Sequence, residues 1–218
     1  MTHYRLEIIL PPVPDLHAAI TEIMDPFDEN AEDDDDHNRH HAFWDFWKIG
    51  GRWSGNKLLA RLGRERVDAF QGMLSAGGVT VSGLSFGKPT LEPASQLPRI
   101  NEMWAAAFPD SPVKECPLFD SYKGDYGDVM PLRDVPDSFT CEHVIIAGLD
   151  WKDQKMEAQY MVQASIWNGV THQDAAWSGR LADAVADWVK WLDGCKPEWA
   201  EKRRPLPDWQ VVTVDYHS

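Results

Sequence analysis

Both ends of the chain show the alternation of a half-buried β-strand, and this pattern limits the possible folds more than any other feature. Near the start, the apolar or aromatic face consists of Tyr4, Leu6, Ile8 and Leu10, and the polar face of His3, Arg5 and Glu7. Near the end, Val212, Val214 and Tyr216 alternate with Val211, Thr213, Asp215 and His217. Because side chains on a strand alternate between two faces, the sequence predicts a strand at each end.

The chain between these strands predicts a mixture of helices and strands. In order, these are a helix over residues 16–24, a buried aromatic strand over 43–49, a short helix over 67–74, a weak strand over 79–84, a β-hairpin over 142–166 and a helix over 171–194. Residues 87–138 hold many of the 15 prolines and have little periodicity apart from a helical patch at 100–108. We interpret them as a long irregular insertion.

This order predicts an α+β fold within one domain, residues 1–218. The simplest arrangement is a ferredoxin-like split βαβ antiparallel sheet with helices on one face. In that topology the first and last strands are antiparallel neighbours. Their polar faces would then lie side by side on the open sheet face without helices.

The negative charge is concentrated near the start of the chain. The formal net charge is −14, and residues 6–38 contain eleven acidic residues and no lysine or arginine. Residues 25–42 are therefore predicted to form a flexible acidic loop, because like charges repel and little apolar surface opposes them. An alternative is that the acidic run at 33–36 binds a divalent metal together with His37, His40 and His41.

Several classes of protein are disfavoured by composition. The three cysteines are too few and too widely spaced for a disulfide framework or a paired-cysteine zinc site. No cofactor is expected apart from a possible divalent metal. No apolar run is long enough for a membrane-spanning helix, and the first residues do not resemble a secretory signal, so we expect a cytoplasmic protein. The overall negative charge makes nucleic-acid binding an unfavoured function.

The densest local motif is the segment of residues 44–55, which contains three tryptophans and three glycines. Gly50 and Gly51 would allow the backbone to approach a ligand closely, while Arg52 offers a planar fork for an anion beside the stacking face of Trp53. This combination could bind a nucleotide-like anion. The alternative is a purely structural tight turn, in which the aromatic side chains pack in a core.

The motif at residues 44–55, taken together with residues 214–217 near the end of the chain, resembles sequences in a group of small uncharacterised proteins of actinobacteria and their phages. The shared features are the run Ile-Gly-Gly-Arg-Trp-Ser-Gly after an aromatic strand and a Val-Asp-Tyr-His ending. The resemblance covers the two ends of the chain. It implies a phage or mobile-element origin and transfers no activity.

Trp167 is a further candidate contact residue among the eleven tryptophans. Alternation places it with Gln163 on the polar face of the second hairpin strand, where an exposed aromatic side chain suits stacking or a protein interface. Cover by the insertion is the alternative explanation.

No common hydrolase signature is present in the sequence. The candidate acid–base residues are His3, Glu7, Asp215 and His217, which the predicted topology gathers on the open sheet face.

The sequence therefore predicts a non-enzymatic recognition protein, a phage accessory type that engages a host protein or sequesters a small anionic, nucleotide-like ligand. The alternative is a nucleotide or phosphoester hydrolase, with or without a divalent metal, that uses the acid–base residues. The oligomeric state stays open.

Overall fold

The computed structural model describes residues 3–25, 28, 30, 44–79, 81–85, 88–91, 96–119, 126–147, 179–195 and 203–217. The chain divides into two compact units. The first comprises Met1–Ile49 and Val129–Ser218, and the second comprises Gly50–Asp128. The described residues form a mixed α+β structure with a multi-stranded sheet and no closed barrel, which confirms the predicted fold class.

Each unit has its own helices and strands. The first contains β1 (His3–Leu10), α1 (Leu16–Met24), β2 (Phe46–Ile49), β5 (Val129–Pro131), β6 (Thr140–Cys141), β7 (His143–Ile146), β8 (Gly179–Arg180), α5 (Leu181–Cys195) and β9 (Gln210–His217). The second contains α2 (Asn56–Leu62), α3 (Arg64–Ala76), β3 (Val81–Ser85), β4 (Lys88–Leu91) and α4 (Leu97–Ala107).

The strands at the two ends of the chain pair along their full length. β1 and β9 are antiparallel, and their register runs from the pair His3 and His217 to the pair Leu10 and Gln210. The prediction that the terminal strands are antiparallel neighbours is confirmed. These two strands form the centre of the main sheet, whose order is β2, β9, β1, β7, with β5 also paired to β9.

The ferredoxin-like topology is not confirmed, because the strand order differs. β7 lies beside β1 in parallel, in a register from Leu6 with His143 to Ile9 with Ile146. A ferredoxin-like sheet is antiparallel throughout, whereas parallel neighbours need a long crossover connection. The chain between β1 and β7 contains α1 and the whole second unit, so it easily provides that length.

One face of the main sheet packs against α1. Leu6, Ile8 and Leu10 of β1 are buried against Ile20 and Ile23 of the helix. The helix begins where the carboxylate of its N-cap, Asp15, accepts a hydrogen bond from a backbone N–H of the first turn. Burial of each large aliphatic side chain in this layer contributes about 1.5–3 kcal/mol.

The opposite face of the sheet, predicted to be open, is covered around its central strands. Glu7 and Thr213 have 0% and 1% of their surface exposed. Phe139 and the first residue of β6, Thr140, contact this face: the guanidinium of Arg5 stands 5.3 Å from the ring centre of Phe139 and donates a 2.6 Å hydrogen bond to the carbonyl of Thr140. The prediction of an open face is therefore wrong here.

The edge of the sheet beside β9 consists of two short strands in line. β2 ends with Ile49 opposite Val214, and β5 begins with Val129 opposite Val212. A single position, opposite Thr213, separates them. The second unit is thus inserted into what is otherwise one edge strand, at a gap of one residue.

The aromatic strand over residues 43–49 differs from the prediction in its burial. β2 covers Phe46–Ile49, and Phe46 and Lys48 are exposed while Trp47 and Ile49 are half-buried. It is an edge strand with one partner, β9, among the described residues, and the alternating exposure shows that the face with Phe46 and Lys48 meets solvent.

The second unit has a separate aromatic core built from three helices. Phe70 of α3, Trp104 of α4 and Phe108 pack together, with ring centres 4.3–5.6 Å apart. Helix α3 contains the predicted helix over 67–74, and α4 matches the patch predicted at 100–108. Helix α2 was not predicted, because it has only seven residues and begins directly after the glycine-rich motif.

Several other predictions can be compared with the structure only in part. β7 confirms a strand in the first part of the hairpin predicted over 142–166, and α5 ends at Cys195, one residue after the predicted end at 194. The acidic run at 33–36, the second hairpin strand over 158–166, Gln163, Trp167 and the start of the helix predicted at 171 lie outside the described residues. No helix in the described part of the chain is long and apolar enough to cross a membrane.

The one-residue gap between β2 and β5 predicts that the second unit can be removed. Replacing residues 50–128 by a single glycine should join Ile49 to Val129 in the register that both already have with β9. We expect the shortened chain to keep a folded sheet, visible as a dispersed amide NMR spectrum with cross-strand contacts from Val214 to Ile49 and from Val212 to Val129. A collapsed spectrum would contradict the description of the second unit as an insertion.

Candidate functional site

Two histidines and two aspartates meet at one end of the main sheet, and we call them the histidine cluster. Nδ1 of His3 lies 2.8 Å from Oδ1 of Asp215. Nδ1 of His217 forms a second ion pair with Oδ1 of Asp45. The two imidazole ring centres are 5.0 Å apart. Each ring therefore has its own carboxylate partner.

The β1–β9 register creates this cluster. His3 is the first residue of β1 and pairs with His217, the last residue of β9, so their side chains leave the same sheet face side by side. Asp215 is two residues before His217 and shares that face. Asp45 directly precedes β2, whose first residue, Phe46, pairs with His217.

The cluster is neither fully buried nor fully exposed. The side chains of His3 and His217 are 15% and 14% exposed, whereas that of Asp45 is 33% exposed. The ring of Phe46 stacks on His217 at 5.1 Å between centres with an interplanar angle of 19°, and Phe46 is 46% exposed. The two histidines are thus equally buried, and the accessible residues are Asp45 and Phe46 at the sheet edge.

A row of charged residues lies next to the cluster on the same face. Lys48 of β2, Asp215 of β9 and Arg5 of β1 are paired across the three strands. Arg5 is directed into the protein, where it contacts the segment before β6, whereas Lys48 is exposed. The charges alternate in sign across the row, which favours these cross-strand neighbours.

Glu7 belongs to the same face but lies deeper in the sheet. It is four residues from His3, roughly 13 Å along the strand. Its two carboxylate oxygens accept hydrogen bonds of 3.2 and 3.0 Å from the hydroxyl of Thr213. Of the four acid–base candidates, the structure brings together His3, Asp215 and His217, and it places Glu7 in the buried interior.

Cys141 lies near these buried charges and keeps its proton at neutral pH. Burial, reinforced by the negative charge of Glu7, raises the pKa of this thiol to about 12. Since the thiolate is the nucleophilic form, Cys141 is a packing residue rather than a nucleophile.

A second polar pair lies on the other face of the same strands. The hydroxyl of Tyr216 is 2.6 Å from Nδ1 of His143. Burial lowers the pKa of His143 to about 4 and raises that of the Tyr216 hydroxyl. At neutral pH both groups are therefore uncharged and share a hydrogen bond, which makes this pair structural.

The glycine-rich motif is organised around the buried carboxylate of Asp128, within the second unit. That carboxylate accepts hydrogen bonds from the Ser54 hydroxyl at 2.5 Å and from the Gly55 backbone N–H at 2.9 Å. The ammonium group of Lys57, itself 1% exposed, donates to the Asp128 carbonyl at 2.9 Å. The two ends of the inserted unit are thereby tied together.

The need for glycine in this motif follows from the same contacts. Gly50 has a φ of 74°, and a Cβ at this position would come within 2.3 Å of an Asp128 carboxylate oxygen. Gly51 also has positive φ and begins a 3₁₀ turn that includes Arg52 and Trp53, both half-buried. The two glycines are explained without a ligand, and a ligand-binding role for Arg52 and Trp53 stays a prediction.

The described part of the chain contains no group of three or more histidine, cysteine or acidic side chains arranged to bind a metal ion. Comparisons of the chain with protein-family models, with curated proteins and with solved structures found no match.

Sequence reasoning missed Asp45, Phe46 and Asp128. Asp45 and Phe46 stand in an aromatic run that was interpreted as a buried strand, and only the pairing of β2 with His217 shows their role. Asp128 is separated from Ser54 by 74 residues, and no local pattern joins the two. A sequence signal did exist at Gly50 and Gly51, since paired glycines indicate positive φ.

The Asp128 contact predicts an unusually high cost for a small substitution. Gly50→Ala should lower the free energy of unfolding by about 2–4 kcal/mol, because positive φ strains the backbone and the new methyl group collides with the carboxylate. The matched control is Gly78→Ala, which has the same φ of 74° and open space around its Cβ. It should cost about 1–2 kcal/mol. Equal losses in urea unfolding would contradict the role of Asp128.

The buried imidazole of His143 predicts a specific pH dependence of stability. In the unfolded chain His143 takes up a proton below its ordinary pKa of 6.5. In the folded chain its pKa is about 4, so it takes up that proton only at lower pH. Stability should therefore fall between pH 6.5 and 4, by about 3 kcal/mol from this group. His143→Gln, which keeps an acceptor for Tyr216, should flatten that part of the curve. An unchanged slope in urea unfolding would refute the assignment.

Proposed function

We propose that the protein binds a small anionic ligand of the phosphoester class at the histidine cluster and hydrolyses it by acid–base catalysis. One observation carries the proposal: two imidazoles lie 5.0 Å apart, and each is held through Nδ1 by a different carboxylate. This choice favours the hydrolase alternative over recognition without chemistry.

The carboxylates determine what each imidazole can do. A carboxylate accepts hydrogen bonds, so Nδ1 of His3, which lies 2.8 Å from Oδ1 of Asp215, carries the proton and Nε2 lies on the opposite side of the ring. Nδ1 of His217 is in ion-pair contact with Asp45. A neutral imidazole then accepts a proton at Nε2, and an imidazolium donates one there. A neighbouring carboxylate also orients the ring.

Two such groups suit hydrolysis of a phosphoester. One imidazole removes a proton from water as the water oxygen bonds to phosphorus. The other donates a proton to the ester oxygen as its bond to phosphorus breaks. Proton transfers of this kind typically accelerate a reaction 10²- to 10⁴-fold. A ring separation of 5.0 Å allows one phosphate group to contact both residues.

Local contacts, not the overall charge, would hold the anion. The net charge of −14 opposes long-range attraction of an anion. The exposed Lys48 lies on the same face and strand as Phe46, beside the cluster, and supplies a positive charge there. We therefore expect affinity to come from short-range hydrogen bonds to imidazole and ammonium groups.

The test is hydrolysis of a simple phosphomonoester and a simple phosphodiester, the p-nitrophenyl compounds, with phosphate binding measured in parallel by calorimetry. His3→Ala and His217→Ala should each lower the hydrolysis rate 10²- to 10⁴-fold, and Asp45→Asn should lower it less. The control is His17→Ala, since His17 is exposed on α1 and outside the cluster.

The outcomes separate the two functional classes. Equal rates for the wild type and both histidine variants would overturn the proposal. Phosphate binding that depends on His3 and His217 without hydrolysis would support recognition of an anion instead. Running each assay with a chelator and with added magnesium tests the metal-dependent form of the hydrolase.

A further inference from the structure

The cluster continues into an exposed aromatic side chain at the sheet edge. Phe46, His217 and His3 are directly paired across β2, β9 and β1, so their side chains form one row on one face. Phe46 stacks on His217 and is 46% exposed. Large apolar side chains with that exposure are few in the described chain, the others being Met73 and Leu206.

We propose that Phe46 is the base-binding position of this site and that the ligand is a nucleotide. This inference rests on the proposed function, because it keeps the phosphate of the ligand at the histidines. It adds Phe46 as the side chain that contacts the base. Aromatic side chains stack on nucleobases of any sequence, since every base presents a flat π-face.

The dimensions of the row suit this class of ligand. Neighbouring strands are ~4.8 Å apart, so three side chains in a row span roughly 10 Å. An extended nucleoside monophosphate has a similar length, with its base at one end and its phosphate at the other. The base would lie against Phe46 at the accessible edge, and the phosphate would contact both His217 and His3.

The charge on β2 agrees with this orientation. Lys48 is two residues from Phe46 and projects from the same face, so it places a positive charge on the side of the site where the sugar-phosphate part of the ligand would lie. A phosphate without a base would use the histidines and Lys48 but not the exposed ring. The structure therefore predicts discrimination between a nucleotide and its sugar phosphate.

The experiment measures calorimetric affinity for adenosine 5′-monophosphate and for ribose 5-phosphate. The wild type should bind the nucleotide about tenfold more tightly, which corresponds to one stacked base. Phe46→Leu keeps an apolar side chain without a ring and should bind both compounds equally. Phe46→Tyr keeps the ring and should retain the preference.

The inference and the proposed function can fail separately. Equal affinity for the two compounds in the wild type, unchanged in Phe46→Leu, would overturn the base-binding role and leave the phosphate site intact. Adenosine, which has no phosphate, provides the reverse control by saturation-transfer NMR. Transfer to the base protons that is lost in Phe46→Leu but not in His3→Ala would support stacking even without phosphate hydrolysis. No transfer and no nucleotide preference would refute it.

Discussion

The pairing of the first and last strands is the interaction on which the rest of the structure depends. Eight consecutive residue pairs join β1 to β9, and both strands are central in the main sheet. The entropic cost of closing so long a loop grows only logarithmically with its length, so a distant partner costs little more than a near one. The same register brings His3 beside His217, and the candidate site exists because of it.

The sheet edge formed by β2 and β5 beside β9 explains how the chain accommodates the insertion of a second unit. β2 and β5 act as one interrupted strand, and the 79-residue segment Gly50–Asp128 leaves and returns at adjacent positions. An insertion with ends that meet disturbs the host sheet least. Within the inserted unit, Asp128 binds Ser54 and Gly55, which holds its two ends together. The conspicuous glycine motif therefore has a structural explanation.

The main sheet has an uncommon feature, which is a face with buried charged residues. Arg5, Glu7 and Asp215 are buried charged residues near the centre of a sheet, where apolar residues are the rule. Burying such groups is costly unless they are hydrogen-bonded or paired, and each has such partners here. Polar networks of this kind are frequent at functional sites, and this one leads directly to the partly exposed histidine cluster.

The sequence alone determined those features of the structure that follow from local periodicity. The strands at both ends, α1, the helix within α3 and the class of fold follow from alternation, helical spacing and capping residues, and the antiparallel pairing of the terminal strands follows from the order of elements. Tertiary structure decided the rest: the parallel position of β7, the cover over the polar face, and the meeting of Asp45 and Phe46 with His217. These depend on which strands become neighbours, a choice set by packing between distant segments and not by the preferences of any one segment.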